Sequence, residues 1–362
     1  MNFHIPTKIH LSQNVLVNNA QDLTTHGNTA LIVTGKSSAV KSGVLSELLP
    51  ILDYHKIKYT IFNEIMENPD LNIVEKGKQI FKETNSDFII AIGGGSPIDA
   101  AKAISLMVAN DLNKSNLYDS TLHKSAYPIV AIPTTSGTGS EVTPYSVLNN
   151  TETNTKAGFG TPLIFPKVAF LDPKYTLSLN ETITRDTAID ALNHLLEGIY
   201  SNKYNEFLIP FIQTGFKLIY DNLNFCLQNP QDINLRQALM QASNYGGIVI
   251  AHTSTTLQHS IGYPLTTEFG VTHGLANGLV MKHIMNLYEP AIKDRLALIW
   301  NYMNITKSQF FDWLDTFVMT FEGNIDYNFI QRRINEVMNS RNMALNPIKV
   351  KDYEIINIYK QL

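Results

Sequence analysis

A buried strand that runs into three glycines decides the fold of the first half of the chain. Residues 88–99 read FIIAIGGGSPID. The first five residues form a continuous apolar run, which is typical of a strand buried on both faces of a parallel sheet. Glycines let the backbone approach a phosphate, and the helix that follows presents free N–H groups to it. We expect Ser96 to be the N-cap, Pro97 the first helical residue and Asp99 the end of a capping box.

The simpler alternative is a well-capped helix after a tight turn. Three consecutive glycines exceed what capping requires, so we favour a phosphate-binding turn. The spacing differs from the G-x-G-x-x-G fingerprint of ordinary dinucleotide-binding folds. The sequence therefore predicts a phosphate site of another kind.

A second loop with similar chemistry follows the next strand. Residues 128–141 read PIVAIPTTSGTGSE, an apolar run followed by hydroxyl side chains and two glycines. Parallel strands end at the same edge of their sheet, and open α/β sheets bind ligands there. The two loops together predict a nucleotide cleft.

The strand-like runs alternate with helical patterns up to about residue 173. Further runs lie at 30–34 (ALIVT) and 57–62 (IKYTIF), and helical spacing separates them. This alternation predicts a doubly wound parallel sheet. Beyond it, helical patterns cover 184–199, 233–259, 275–287 and 310–321, and the polar stretch 149–155 is read as a surface loop or hairpin. We therefore expect an α/β dinucleotide-binding domain over 1–180 and an all-helical metal and substrate domain over 181–362.

Composition excludes several classes of protein. The 362 residues suffice for two domains of ~150 residues. Lys+Arg 28 against Asp+Glu 32 gives a net charge of −4, which argues against a nucleic-acid or anionic-membrane partner. One cysteine, Cys226, leaves no intramolecular disulfide. The first residues lack a signal-peptide pattern, and no apolar run approaches the ~20 residues of a membrane span. We expect a soluble, cytoplasmic protein.

One carboxylate and three histidines in the second half are candidate metal ligands. Asp190 and His194 are four residues apart and share a helix face. His259 is expected near the end of a helix over 233–259, and His273 opens the next helix. This nitrogen and oxygen set suits Fe(II), Zn(II), Ni(II) or Co(II). The chain has ten histidines, so spacing alone leaves ordinary surface or core roles open.

Taken together, the chain resembles the iron-containing alcohol dehydrogenase family. Five segments carry the resemblance, in the family's order: GGGSPIDAAKAI (93–104), AIPTTSGTGSEVTPYS (131–146), AFLDPKYT (169–176), TAIDALNHLLEGIYS (187–201) and GYPLTTEFGVTHGLANG (262–278). They span most of the first 280 residues, and the last 80 match loosely. The resemblance implies a dehydroquinate-synthase-like fold, a small alcohol, diol or aldehyde as substrate, and a homodimer.

The resemblance also implies site residues. The metal, Fe²⁺ with Zn²⁺ as the alternative, would be held by Asp190, His194, His259 and His273. The cofactor contacts would come from loop residues of the first half and one tyrosine: Asn68, Gly94, Gly95, Ser96, Asp99, Thr134, Thr135, Ser140, Lys156 and Tyr263.

Two departures from the family pattern bear on function. Many members carry a second histidine four residues after the third ligand, and Tyr263 stands there, so Tyr263 or water would have to relay the proton. Members that prefer NAD commonly carry an aspartate where this chain has Gly35, followed by Lys36, Ser37 and Ser38. A carboxylate there would bind a ribose 2′-hydroxyl and repel a 2′-phosphate. We therefore expect NADP(H) to be preferred over NAD(H), as in a butanol or 1,3-propanediol dehydrogenase-like branch.

Other activities remain open on the same kind of scaffold. One is a dehydroquinate-synthase-like lyase, and another is a glycerol or glycerol-1-phosphate dehydrogenase. Phosphorylated substrates call for basic clusters near the metal, and residues 184–280 hold only Arg185, Lys203, Lys217 and Arg236, none beside a ligand. A nucleotide-binding protein without activity is a third possibility, which the intact ligand set disfavours.

Overall fold

A computed structural model gives the fold of residues 3–150, 155–318 and 320–362. A six-stranded sheet fills the first half, and helices form the second. The predicted fold class is confirmed: a parallel sheet precedes a helical region.

The sheet is parallel throughout, in the order β1-β8-β5-β4-β2-β3, and a separate antiparallel hairpin is formed by β6 and β7. The strands are β1 (Lys8–Leu11), β2 (Thr29–Gly35), β3 (Lys58–Ile65), β4 (Phe88–Gly93), β5 (Ile129–Pro133), β6 (Tyr145–Asn150), β7 (Thr155–Gly160) and β8 (Val168–Leu171). Ile90 pairs with Ile32 on one side and Val130 on the other, so β4 lies at the centre. All six of its residues are buried, because helices cover both faces of the sheet.

The helices alternate with the strands in the first half and follow one another in the second. They are α1 (Val15–Asn18), α2 (Ser38–Lys41), α3 (Val44–Tyr54), α4 (Leu71–Glu83), α5 (Gly95–Ala109), α6 (Glu181–Tyr200), α7 (Ile209–Gln228), α8 (Ile233–Thr253), α9 (Leu257–Phe269), α10 (His273–Met303), α11 (Lys307–Asp315), α12 (Tyr327–Met338) and α13 (Asp352–Tyr359). Helix α6 is the core of the second half: 15 of its 20 residues are buried. Asn180 caps it by accepting a hydrogen bond from the Ile183 N–H at 2.8 Å. None of the helices formed by the described residues is long and apolar enough to cross a membrane.

Several predicted boundaries are wrong. The helix expected over 233–259 is two helices, because Ser254 takes a positive φ of 57° at the end of α8. His259 therefore lies in the first turn of α9 and not at the end of a helix. The last aromatic-rich helix stops at Asp315, six residues earlier than its pattern suggested.

The capping prediction for α5 is also wrong. The helix begins at Gly95 with Gly94 as its N-cap, so Ser96 lies inside the first turn. The Asp99 carboxylate accepts hydrogen bonds from Ser140 Oγ at 2.5 Å and from the Val147 N–H at 2.9 Å. It ties the second loop and the hairpin to α5, and no capping box forms.

The polar stretch at 149–155 joins the two strands of the hairpin. Asn150 and Thr155 are the last pair before the connection between the two strands, so the hairpin, one of the two predicted alternatives, is the one that forms. Residues 151–154 lie outside the described residues.

The two halves of the chain meet at a contact between glycine backbones. Gly139, in the loop after β5, has a φ of 59° and approaches Gly247 of α8 so closely that a Cβ on Gly139 would lie 2.4 Å from the Gly247 Cα. A Cβ on Gly247 would lie 2.5 Å from the Gly139 carbonyl oxygen. No side chain fits between these two glycines.

Candidate active site between the sheet edge and the helices

A cavity of about 730 Å³ lies where the carboxyl edge of the sheet faces helices α6, α9 and α10. Most of the residues predicted for cofactor and metal line it: Gly35, Ser38, Asn68, Gly94, Gly95, Ser96, Asp99, Thr135, Ser140, Lys156, Asp190, His194, His259, Tyr263 and His273. The two loops and the four candidate ligands therefore share one space.

Three predicted contacts do not line this cavity. Lys36 and Ser37 are exposed beside it. Thr134 is buried, and its N–H donates to the Gly93 carbonyl at 2.9 Å. This hydrogen bond joins the two loops, and Thr134 does not line the cavity.

The candidate metal centre is built around one carboxylate oxygen. Asp190 Oδ1 lies 3.7 Å from His273 Nε2, 3.8 Å from His259 Nε2 and 3.9 Å from His194 Nε2. Ligand atoms bound tetrahedrally at about 2.1 Å from one ion would lie about 3.4 Å apart, so these distances are close to those of a coordination shell.

His194 lies further from the other candidate ligands than they lie from one another. The ligand atoms of Asp190, His259 and His273 all lie within 4.8 Å of one another, whereas His194 is outside that trio. Its ring stacks on that of His259, with centroids 5.0 Å apart. Closing four ligands around one ion would require a small movement of His194.

The electrostatics of this centre favour a cation. Burial alone would raise the pKa of Asp190, but the three imidazoles outweigh it and the pKa lies below its usual value. Burial lowers the pKa of His194 and holds that of His273 well below the usual range. Both rings are therefore neutral at pH 7, which is the form that binds metals.

A buried nitrogen without a hydrogen-bond partner also indicates that these residues suit a metal. His259 Nε2 is fully buried and has no hydrogen-bond partner among the described residues. A buried nitrogen without a partner costs about 1–3 kcal/mol. A bound ion at the Asp190 carboxylate would satisfy this nitrogen, so the donor set matches the Fe²⁺ or Zn²⁺ that the sequence implied.

Glu197 orients His259, and sequence reasoning missed it. Its side chain is fully buried and contacts His259 Nδ1 through Oε2. Its other oxygen accepts from the Thr256 N–H at 2.7 Å and the Thr256 hydroxyl at 2.9 Å. Burial opposes a charge on His259, but this carboxylate raises the pKa of His259 above its usual value. The spacing 190, 194, 197 places all three side chains on one face of α6, a signal that the sequence offered.

Two residues of helix α10, Gly274 and Asn277, place it close to the metal centre. Gly274 lies against α6, where a Cβ would come within 1.8 Å of the Asp186 carbonyl oxygen, so only glycine lets His273 reach Asp190. One turn further, Asn277 Nδ2 lies 3.3 Å from both Asp190 Oδ1 and His273 Nε2. Asn277 therefore connects two of the candidate ligands.

The glycine loop forms the other wall of the cavity. The N-terminus of α5 opens onto it, and a Cβ at Gly95 would lie 2.8 Å from Thr138 Cγ2. Ser96 Oγ accepts from the Asn68 N–H at 3.2 Å, and Asn68 Oδ1 accepts from Lys156 Nζ at 2.8 Å. Free helical N–H groups beside the half-buried Lys156 ammonium suit a phosphate or diphosphate group.

Lys102 stabilises this wall, and no local sequence pattern indicates its role. The side chain is fully buried and donates to Ser140 O at 2.7 Å, Ser140 Oγ at 2.8 Å, Thr143 Oγ1 at 3.1 Å and Tyr145 O at 2.8 Å. Burial lowers the pKa of its ammonium to about 8, against attraction from Asp99 and Glu141. Four acceptors on one nitrogen fix the loop and hairpin to α5.

Tyr263 lies between the metal centre and the cofactor wall. Its ring stacks on that of His273, with centroids 5.5 Å apart at an angle of 13°, and Lys156 Nζ lies 5.4 Å from its centroid. Burial raises the pKa of the phenol above its usual value, so it is neutral at pH 7.

Arg341 also lines the cavity, although it lies well beyond residues 184–280 along the chain. Its guanidinium stands 5.8 Å from the ring centroid of Tyr145 in the hairpin. Nη1 donates a long hydrogen bond of 3.4 Å to the Gly158 carbonyl. The contact with Gly158 joins residues that are 183 apart along the chain, so it leaves no local sequence signal.

Two family models match consecutive parts of this chain. The iron-containing alcohol dehydrogenase model matches residues 6–173, and the C-terminal model of the Fe-containing alcohol dehydrogenase family matches 184–362. Together they cover nearly all of the chain.

Individual proteins give the same result. The long-chain primary alcohol dehydrogenase of Thermoanaerobacter ethanolicus is 29% identical over 76% of this chain and 69% of its own. The aldehyde-alcohol dehydrogenase of Streptococcus pneumoniae is 30% identical over 70% of this chain, which spans only 30% of that longer protein. The crystal structure of an iron-containing alcohol dehydrogenase from Thermotoga maritima superposes with a TM-score of 0.93 at 35% identity, covering 99% of this chain and 98% of that one.

Proposed function

The chain belongs to the iron-containing alcohol dehydrogenase family, and we propose that it transfers a hydride between NADP(H) and a small primary alcohol, diol or aldehyde. One observation carries the proposal. The Nε2 atoms of His194, His259 and His273 gather around Asp190 Oδ1 in the same cavity as the glycine loop. A substrate oxygen and a dinucleotide can therefore occupy adjoining parts of one space.

The chain's own residues would do the binding and orienting. The N-terminus of α5 would hold the diphosphate, with Lys156 adding a cation beside it. Asp190 and the histidines would hold the metal, with Glu197 fixing the tautomer of His259. When bound, a divalent metal supplies Lewis-acid stabilisation of the substrate oxygen, and the nicotinamide supplies or accepts the hydride.

Proton exchange is the step at which this chain departs from many relatives. Tyr263 replaces the second histidine, and its raised pKa keeps the phenol protonated. A protonated phenol cannot accept the proton of an alcohol as a general base. We therefore assign that proton to water in the cavity, with the Tyr263 ring serving to pack against His273.

The preference for NADP(H) rests on Gly35 at the end of β2. Gly35 and Ser38 line the cavity, and residue 35 carries no carboxylate that would repel a 2′-phosphate. Exposed Lys36 adds positive charge beside the lining. A relative named NADH-dependent butanol dehydrogenase B, from Clostridium acetobutylicum, is 29% identical over 78% of this chain and 75% of its own. Membership of the family therefore does not determine which of the two cofactors this chain prefers.

The experiment follows NADPH and NADH absorbance with a panel of short alcohols and aldehydes, in protein stripped of metal and then reloaded with Fe(II) or Zn(II). We expect turnover only after reloading. His259→Ala should abolish turnover while nicotinamide nucleotide still binds, whereas His55→Ala, a histidine outside the cavity, should keep both. Full turnover in metal-free His259→Ala protein would refute the proposal.

A further inference from the structure

Most of the charged groups that line the cavity have partners among the described residues, whereas exposed Glu67 and Arg341 line it without an ion pair there. Asp99 accepts from Ser140 and Val147, Asp190 faces the histidines, and Glu336 accepts from Arg333 Nη1 at 2.7 Å. The Lys156 ammonium is bonded to Asn68 and attracted by Asp190 and Asp99.

Arg341 is the cation of these two. No carboxylate lies within ion-pair distance of it among the described residues, and its only hydrogen bond there is the 3.4 Å contact to Gly158. A guanidinium has five N–H donors, so most of them are free to meet a ligand. The Tyr145 ring, 5.8 Å away, makes a cation–π contact with the guanidinium, which leaves its charge in place.

The position of Arg341 relates it to the metal centre. Its neighbour Ser340 shares a 2.7 Å hydrogen bond with Ser260, which follows His259 in the first turn of α9. On the other side, Asn342 Nδ2 donates to Thr255 Oγ1 at 3.1 Å. The segment that carries Arg341 is thus fastened to the turn that carries a candidate ligand, and both line the same cavity.

We propose that Arg341 binds the anionic tail of the substrate, so that the enzyme favours aldehydes with a terminal carboxylate or sulfonate over uncharged aldehydes. This inference rests on the proposed function. A planar guanidinium matches carboxylate and sulfonate oxygens in a bidentate manner. A phosphate ester would carry nearly two charges and calls for a cluster of cations, whereas the other lining cation among the described residues, Lys156, is bonded to Asn68.

The reaction is balanced with the cofactor of the proposed function. The nicotinamide of NADPH gives a hydride to the carbonyl carbon, and the carbonyl oxygen takes a proton from water. The aldehyde is reduced to the ω-hydroxy acid or hydroxysulfonate, and NADPH is oxidised to NADP⁺. The anionic tail is unchanged and serves only to hold the substrate.

The test compares three aldehydes in Fe(II)-loaded protein by NADPH absorbance. They are 4-oxobutanoate, 3-sulfopropanal and the uncharged isostere 4-methylpentanal. We expect kcat/KM to favour the two anions over 4-methylpentanal by about 10-fold or more, the value of a charge-assisted hydrogen bond. The two anions distinguish a carboxylate tail from a sulfonate tail.

Variants test the residue. Arg341→Gln should lower the anion-to-isostere ratio of kcat/KM by about 10- to 100-fold, and Arg341→Lys should keep part of it because it retains the charge without the planar fork. Arg332→Gln removes the same group from the surface, where it pairs with Glu268, and should leave the ratio unchanged.

The outcomes separate the two proposals. Reduction of 4-methylpentanal as fast as or faster than the anions would overturn the inference and leave the proposed function standing. An unchanged ratio in Arg341→Gln, even with lower rates for all three aldehydes, would assign Arg341 to the structure of the hairpin or to the cofactor. Reduction of no aldehyde at all would overturn the proposed function and the inference with it.

Discussion

Replacing Glu197 with glutamine should weaken metal binding without touching a candidate ligand. The carboxylate contacts His259 Nδ1 and so keeps the proton on that nitrogen, which leaves Nε2 free to bind a metal. It also accepts two hydrogen bonds from Thr256. An amide has one oxygen and one NH₂ group, so it cannot accept from both sides.

Either orientation of the glutamine has a cost. With its NH₂ group toward His259, the imidazole must carry its proton on Nε2, the form that cannot coordinate. With its NH₂ group toward Thr256, two donors face each other in a buried site, which costs about 1–3 kcal/mol. The first case corresponds to a loss of about 10- to 100-fold in metal affinity, and the second to a lower free energy of unfolding of the metal-free protein.

The assay is competition for Fe(II) or Zn(II) with a chromophoric chelator, together with thermal melting of metal-free protein. Glu336→Gln is the matched control, because Glu336 lines the same cavity and bonds to Arg333, away from the ligands. We expect metal affinity to fall only in Glu197→Gln, with turnover partly restored at high metal concentration. Equal metal affinity and equal melting temperature in Glu197→Gln and the native protein would refute the role given to this carboxylate.

Four further outcomes are expected. Gly35→Asp should lower the ratio of kcat/KM for NADPH over NADH by about 10- to 100-fold, and an unchanged ratio would mean that this turn does not choose the cofactor. Gly95→Val should abolish dinucleotide binding measured by calorimetry and also lower the melting temperature, since its Cβ would meet Thr138 at 2.8 Å; binding retained in a destabilised protein would favour a purely structural turn. Tyr263→Phe should lower kcat/KM by less than the about 100-fold expected for loss of a general base, and a larger loss, with a shifted pH profile, would restore the phenol as the proton relay. Burial lowers the pKa of Lys102 from 10.5 to about 8, so between these pH values the unfolded chain binds more protons and the free energy of unfolding rises with pH. Urea unfolding on both sides of pH 8 should show this rise in the native protein relative to Lys102→Met, and parallel pH profiles would contradict it.

The fold was largely predictable because its signals are local. The apolar runs at 30–34, 57–62, 88–92 and 128–132 all became strands of the parallel sheet. The edge strand β1 and its neighbour β8, four residues each, gave no comparable pattern. The break at Ser254 was also missed, because it depends on a tertiary acceptor: Glu197 satisfies the Thr256 N–H that a continuous helix would have used.

The site residues that lie close together in the sequence were predictable. Those that only the fold brings together were not. Glycine loops after strands, and the pair Asp190 and His194, can be read from spacing. Glu197 shares their helix face but has no distinguishing residue type. Lys102 and Arg341 are single cations whose partners lie 38 to 183 residues away along the chain, so only folding reveals what they contact.

The contact between Gly139 and Gly247 determines how the two halves can move. Main chain touches main chain there, so the joint has no flexible side chain that could shorten or lengthen. We therefore expect opening and closing of the cleft to rotate about this point, with larger displacements at the rim of the cleft. Crystals grown with and without dinucleotide would show the smallest displacement at these two glycines, and a larger shift there than at the rim would contradict this view. A pivot so placed would let the cleft admit a ligand without separating the two halves of the chain.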